Sequence, residues 1–125
     1  MTDSVRPGGE GWTNPADAYV RFMHEVMEFS GTVEGDEIEA HYQFVNTGDQ
    51  ALEIEIVSAC QCMAIEWTRG PIAQGQSGEL TVVFDTSDRT GDVTKEIDVI
   101  FKNTDQDGYP LVKRVWLRGR IYKRI

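Results

Sequence analysis

Cys60 and Cys62 are the only cysteines in this 125-residue chain, and a single residue, Gln61, separates them. In an extended strand, side chains two residues apart share a face, with Cα atoms about 6.6 Å apart at about 3.3 Å of rise per residue. That spacing lies near the upper limit of disulfide geometry, so a Cys60–Cys62 bond requires a bent backbone. As thiolates, the pair suits a soft ion of low coordination number, Cu(I) before Zn²⁺, which takes four ligands. His24, His41 and Met63 are the obvious additional donors, and no spacing brings them to the pair. Another reading needs no chemistry at all. Counting from Leu52, Ile54 and Ile56, positions 58, 60 and 62 keep the inward parity, and free cysteine packs as a small buried hydrophobe. Packing is the default; metal binding and a disulfide are the chemical alternatives.

A second group lies near the C-terminus, where Arg114, Trp116, Arg118, Arg120 and Tyr122 share one parity. Arginine and aromatic side chains are enriched at protein interfaces, so this set is a candidate interaction surface. The preferred expectation is an internal ladder, with the arginines stacked over Trp116 and paired to acids such as Glu96 and Asp98 on a neighbouring strand. The acidic stretch 34–39 and the run Asp105-Gln106-Asp107-Gly108 read as solvated turns. The latter shares part of a calcium loop but lacks its later bidentate Glu. His24 and His41 read as surface or satisfied polar residues. With no Ser/His/Asp order, glycine-rich phosphate loop or zinc helix motif, an enzyme has no residue support, and no cofactor is expected.

Charge narrows the partners. The net charge is −9, yet all 21 acids precede Lys113, and six bases lie in the last thirteen residues. Residues 1–112 hold six bases against those 21 acids, a net of −15, while the tail carries +6. An acidic body argues against a general nucleic-acid binder, whose affinity comes mostly from phosphate contacts. The basic tail should find its partners within its own chain. No apolar run approaches the roughly 18 residues of a spanning helix. The polar, Gly-rich stretch 1–14 shows no apolar core of a signal peptide.

These residues must be positioned by strands. Residues 1–18, with Pro7-Gly8-Gly9 and Asn14-Pro15, read as a flexible lead, with Trp12 pinned against a domain spanning 19–125. A strand of mixed parity follows at about Tyr19–Phe29, and then a turn-rich connection from Ser30 to Asp36. Ile38, Ala40, Tyr42 and Phe44 alternate cleanly with polar residues. The sets Leu52/Ile54/Ile56, Met63/Ile65/Trp67, Leu80/Val82/Phe84, Ile97/Val99/Phe101 and Val115/Leu117/Ile121 each keep one parity along their stretches. Seven strands at short spacing, without a helix, read as an all-β, seven-stranded antiparallel immunoglobulin-like β-sandwich. Cysteines two apart in one strand cannot supply the inter-sheet disulfide of such domains.

An ordered series of short motifs carries a resemblance. Phe29-Ser30-Gly31-Thr32-Val33-Glu34-Gly35-Asp36 is followed by Phe44-Val45-Asn46-Thr47-Gly48 and Cys60-Gln61-Cys62. Then come Pro71-Ile72-Ala73-Gln74-Gly75-Gln76-Ser77-Gly78, Phe84-Asp85-Thr86, Arg89-Thr90-Gly91 and Leu117-Arg118-Gly119. The series, over about residues 20–122, resembles the bacterial domain-of-unknown-function family 1573, Ig-like domains with a Cys-x-Cys motif. Four positions depart from the pattern. Ser30 is inserted, Gln61 replaces a glycine, Met63 a threonine and Gln74 a proline. The resemblance implies an Ig-like fold and an exported setting, periplasmic or extracellular, and it implies no activity.

The expectation is a non-catalytic Ig-like binding or structural module of a bacterial cell-envelope protein. It would engage a protein partner, with no nucleic acid and no membrane span of its own. The alternative is a metal-binding (Cu(I) or Zn) or thiol-redox domain that uses Cys60 and Cys62.

Overall fold

Period-two alternation builds the core strand by strand, and the interior is what those inward residues jointly bury. The computed structural model describes residues 14–125. It contains β1 (Val20–Phe22), β2 (Val26–Val33), β3 (Glu37–Asn46), β4 (Ile54–Ser58), β5 (Met63–Trp67), β6 (Ser77–Asp85), β7 (Gly91–Thr104) and β8 (Pro110–Tyr122). The first sheet has the order β1-β3-β6-β5 and the second β2-β8-β7-β4. Between them Tyr42, Phe44, Phe84, Ile97, Phe101 and Leu117 are fully enclosed. The Tyr42 hydroxyl bridges the layers by donating to the Trp116 carbonyl at 2.8 Å.

The sandwich thus has eight strands rather than the expected seven, and it is not wholly antiparallel, since β2 runs parallel to β8. One cause accounts for both corrections. The stretch expected as a single strand at Tyr19–Phe29 changes sheets midway. Val20 and Phe22 pair with β3 in the first sheet, whereas Val26 onward pairs with β8 in the second. The mixed parity of that stretch records the switch.

Two bulges explain further differences. Between Phe29 and Thr32 the pairing with β8 shifts by one extra residue, and Gly31 there has φ +65°. The inserted Ser30 is absorbed in this bulge, so the strand continues to Val33 instead of breaking into a turn. The second bulge, between Ile54 and Ile56, reverses the parity of β4. Ile56 consequently faces solvent and Val57 the core. Inward parity therefore does not carry through to positions 58, 60 and 62.

Elsewhere the turn chemistry is local. Asn46, almost fully buried, donates from Nδ2 to the carbonyls of Gln50 and Ile72 and accepts from the Gly48 N–H through Oδ1. Asn14 caps a 3₁₀ turn at Pro15–Ala18 that buries Ala16, so the packed region includes residues assigned by sequence to the lead. Trp12 lies outside the described residues.

Candidate functional site

The outward residues of β8 lie at the centre of the second sheet's solvent face, and pairing register fixes their neighbours. Val26, Trp116 and Glu96 form one cross-strand row; Glu28, Arg118 and Thr94 form another. Asp98 separates Arg114 from Ser58, and Ile100 separates Val112 from Ile56. The expected set Arg114, Trp116, Arg118, Arg120 and Tyr122 is therefore brought onto one face.

Its arginines are ion-paired, as the ladder reading required. Arg114 grips Asp98 through Nε at 2.7 Å and Nη2 at 3.3 Å, with Glu96 at 3.5 Å. Hydrogen bonding to Asp98, then its charge and that of Glu96, holds the Arg114 guanidinium more firmly protonated than usual. Arg118 pairs with Glu28 at 2.8 Å and Arg120 with Asp92 at 2.9 Å. The expected stacking differs: Arg120 lies over Tyr122, and no arginine among the described residues stacks on Trp116. Such exposed pairs, screened by solvent, contribute little stability each.

What parity counting missed is the apolar content of this face. Val26 is 39% exposed, Ile56 50%, Val112 37% and Tyr122 54%. Trp116 and Ile100 are half-buried among them. On the first sheet's solvent face Glu37, Glu39, Gln43, Glu79 and Asp85 are exposed, with Met23 exposed beside Gln43. The β4 bulge is the reason sequence could not place Ile56 in this patch. A cavity of about 450 Å³ borders it, lined in part by Asn14, Asp98, Leu111, Val112, Arg114 and Trp116.

Lys113 was also missed, although a charged residue on the apolar parity of β8 was a readable signal. Only 7% exposed, it bonds Asp17 at 2.7 Å and Glu25 at 2.8 Å, tying the 3₁₀ turn and the β1–β2 link to β8. Burial alone would lower its pKa. The hydrogen bonds and charges of Asp17 and Glu25 outweigh that and raise it. With Arg114, Arg118, Arg120 and the contact of Arg124 with Asp36, most of the basic tail is satisfied within the chain.

The cysteines occupy the corner where the chain leaves the second sheet at Ser58 and enters the first at Met63. The Met63 N–H donates to the Cys60 carbonyl at 3.2 Å, which bends the backbone into a turn. That bend brings the Cα atoms to 5.2 Å, and Cys60 and Cys62 are disulfide-bonded. Gln61 tolerates the position because its φ is not positive here. The packing default is corrected accordingly: both residues are partly exposed at a corner, with Cys62 touching the core margin. Metal binding would require the reduced pair. Among the described residues no three His, Cys, Asp or Glu side chains gather as a metal site. His41 is engaged elsewhere, with Glu39 at 2.9 Å. The run Asp105–Gly108 is a hairpin turn in which Asp105 Oδ1 accepts from the N–H groups of Asp107 and Tyr109.

No helix of the described residues is long and apolar enough to cross a membrane. Similar solved structures share the sandwich at low identity. The ASH / PapD-like domain of human CEP192 (PapD-like domain 7) matches with TM-score 0.65 and 15% identity over 100% of both chains. A protein of unknown function from Porphyromonas gingivalis W83 matches with TM-score 0.65 and 15% identity, over 93% of this chain and 52% of that one. The secreted serine protease VesC from Vibrio cholerae matches with TM-score 0.60 and 10% identity, over 86% of this chain but 24% of its own. At these identities the likeness shows a PapD-like, Ig-like fold and nothing more. No curated protein matches the sequence. The sequence model of one family, protein of unknown function DUF1573, matches residues 20–113, and the chain belongs to that family.

Proposed function

We propose that this domain is a non-catalytic binding module that docks a folded protein against the solvent face of its second sheet. The observation that carries the reading is the exposure of Val26, Ile56 and Val112 on that face, beside half-buried Trp116 and Ile100. Exposed apolar residues gathered on one surface mark interaction sites, and aromatic and arginine anchors dominate their energetics. Arg114, Arg118 and Arg120 are balanced there by Glu28, Asp92, Glu96 and Asp98, so the face selects neither charge sign. It fits a partner with an apolar patch ringed by charges of both signs. Family membership and the Cys60–Cys62 disulfide support a bacterial cell-envelope setting, since disulfides persist in oxidising compartments. The test uses Ile56→Asp and Val112→Asp, both at exposed positions. Each should keep the fold and lose an envelope protein that the wild type captures and mass spectrometry identifies. A partner retained by both variants overturns the proposal.

The partly exposed corner disulfide favours a second reading, thiol-redox exchange at Cys60 and Cys62 or, once reduced, Cu(I) or Zn binding. Metal content and thiol state of protein prepared without chelator or reductant decide it. Stoichiometric metal that is lost in Cys60→Ser/Cys62→Ser would replace the binding-module reading.

A further inference from the structure

β1 covers only part of β3. It pairs with Phe44, Val45 and Asn46, and Met23 adds one bond to the Gln43 carbonyl before the chain departs for the second sheet. On its other side β3 pairs with β6 along nearly its full length. The bonds Met23 N–H to Gln43 and Thr47 N–H to Tyr19 show that odd-numbered residues of this strand direct their backbone groups toward β1. Even-numbered residues turn toward β6, as the bond from the Asn46 N–H to Gln76 shows. Glu37, Glu39 and His41 therefore present N–H and C=O groups along an edge that β1 leaves open. Beside that edge lies a cleft of about 290 Å³ between the two sheets. Its apolar wall comprises Met27, Phe29, Ile38, Ala40 and Leu117.

We infer that this open half of β3 accepts an extended peptide as an added strand, in line with β1 and antiparallel to β3. The site is distinct from the sheet face proposed above and does not depend on it. An added strand satisfies the backbone groups of Glu37, Glu39 and His41 that β1 does not reach, and its alternate side chains point into the cleft and out to solvent. The cleft holds small apolar side chains, because Ala40 leaves room where a larger residue would fill it. The outward residues of the incoming strand would run beside the side chains of Glu37 and Glu39. Within the described residues neither carboxylate meets a Lys or Arg; Glu39 contacts only His41. The occupant is thus a segment alternating basic and small apolar residues, and the charges on β3 select against acidic strands and against self-pairing of this edge.

The probe is the capped peptide Lys-Val-Lys-Val-Lys-Val-Lys, with Glu-Val-Glu-Val-Glu-Val-Glu and Lys-Ser-Lys-Ser-Lys-Ser-Lys as controls. Amide exchange followed by NMR reads the site. The Lys-Val peptide should slow exchange at Glu39 and His41 at least tenfold, and both controls should leave it unchanged. Glu39→Lys, a surface change that spares the fold, should weaken Lys-Val binding about tenfold. Three results overturn the inference: no protection at Glu39 and His41 by the Lys-Val peptide, equal protection by either control, or protection confined to the β5 edge.

Discussion

Trp116 lies directly beside Val26 in the parallel pairing of β8 with β2, and together they keep an apolar spot open within a face otherwise laced with ion pairs. Removing the indole tests what that spot does. Because Trp116 is half-buried on the outer face and not in the core, Trp116→Ala should cost about 1 kcal/mol or less of folding stability in denaturant titrations. Loss of a central anchor should weaken partner binding by about 2 kcal/mol, roughly 30-fold. A variant that loses stability and keeps binding would place Trp116 among structural residues only.

The corner disulfide closes a very short loop, so its restraint on the unfolded chain is small. The chain-entropy relation gives about 1–2 kcal/mol for so few residues. Cys60→Ser/Cys62→Ser should unfold at correspondingly lower denaturant with an unchanged slope. Intact-mass measurement of oxidised and reduced wild type should differ by two hydrogens.

Buried Tyr42 and Lys113 predict an alkaline limit to stability. Desolvation pushes the Tyr42 phenol up to about 12, and the balance at Lys113 is also upward. In both cases the folded state holds its proton more tightly than the unfolded one. The contribution of Tyr42 is therefore whole below pH 10 and declines as pH rises through 12, and that of Lys113 is lost in the same direction, as alkali strips its proton. Thermal melts from pH 9 to 12 should show a falling Tm. Tyr42→Phe should start lower by about 1 kcal/mol, for the lost bond to Trp116, and show a shallower decline.

Asn46 offers a sharper stability test. Its side chain holds three backbone groups of the turn, and Asn46→Ala strands buried ones among them. The expected loss is about 2–4 kcal/mol by denaturant titration, well beyond that of a surface substitution.

The sandwich was readable because alternation survives translation into structure wherever a strand is regular. β3, β6 and β8 show this, with Tyr42, Phe84 and Leu117 inward as their parity requires. Irregularities defeat the same counting. The sheet switch after Phe22 and the bulge at Ile54/Ile56 each alter phase without any local residue type that announces it. That single bulge hid Ile56 from the candidate face and moved the cysteines from core parity to a corner. The Arg114–Asp98 pair was foreseeable from opposite charges on adjacent strands. The pairing of Lys113 with Asp17 and Glu25 was not, because those acids lie about 90 residues away in sequence.

Site-specific photocrosslinking in living cells tests the central proposal most directly. A photoreactive residue at position 56 or 112 should yield an adduct with one and the same protein, and the same residue at position 79, on the opposite face, should yield none. Adducts from position 79 alone, or from none of the three, would contradict docking through the second sheet.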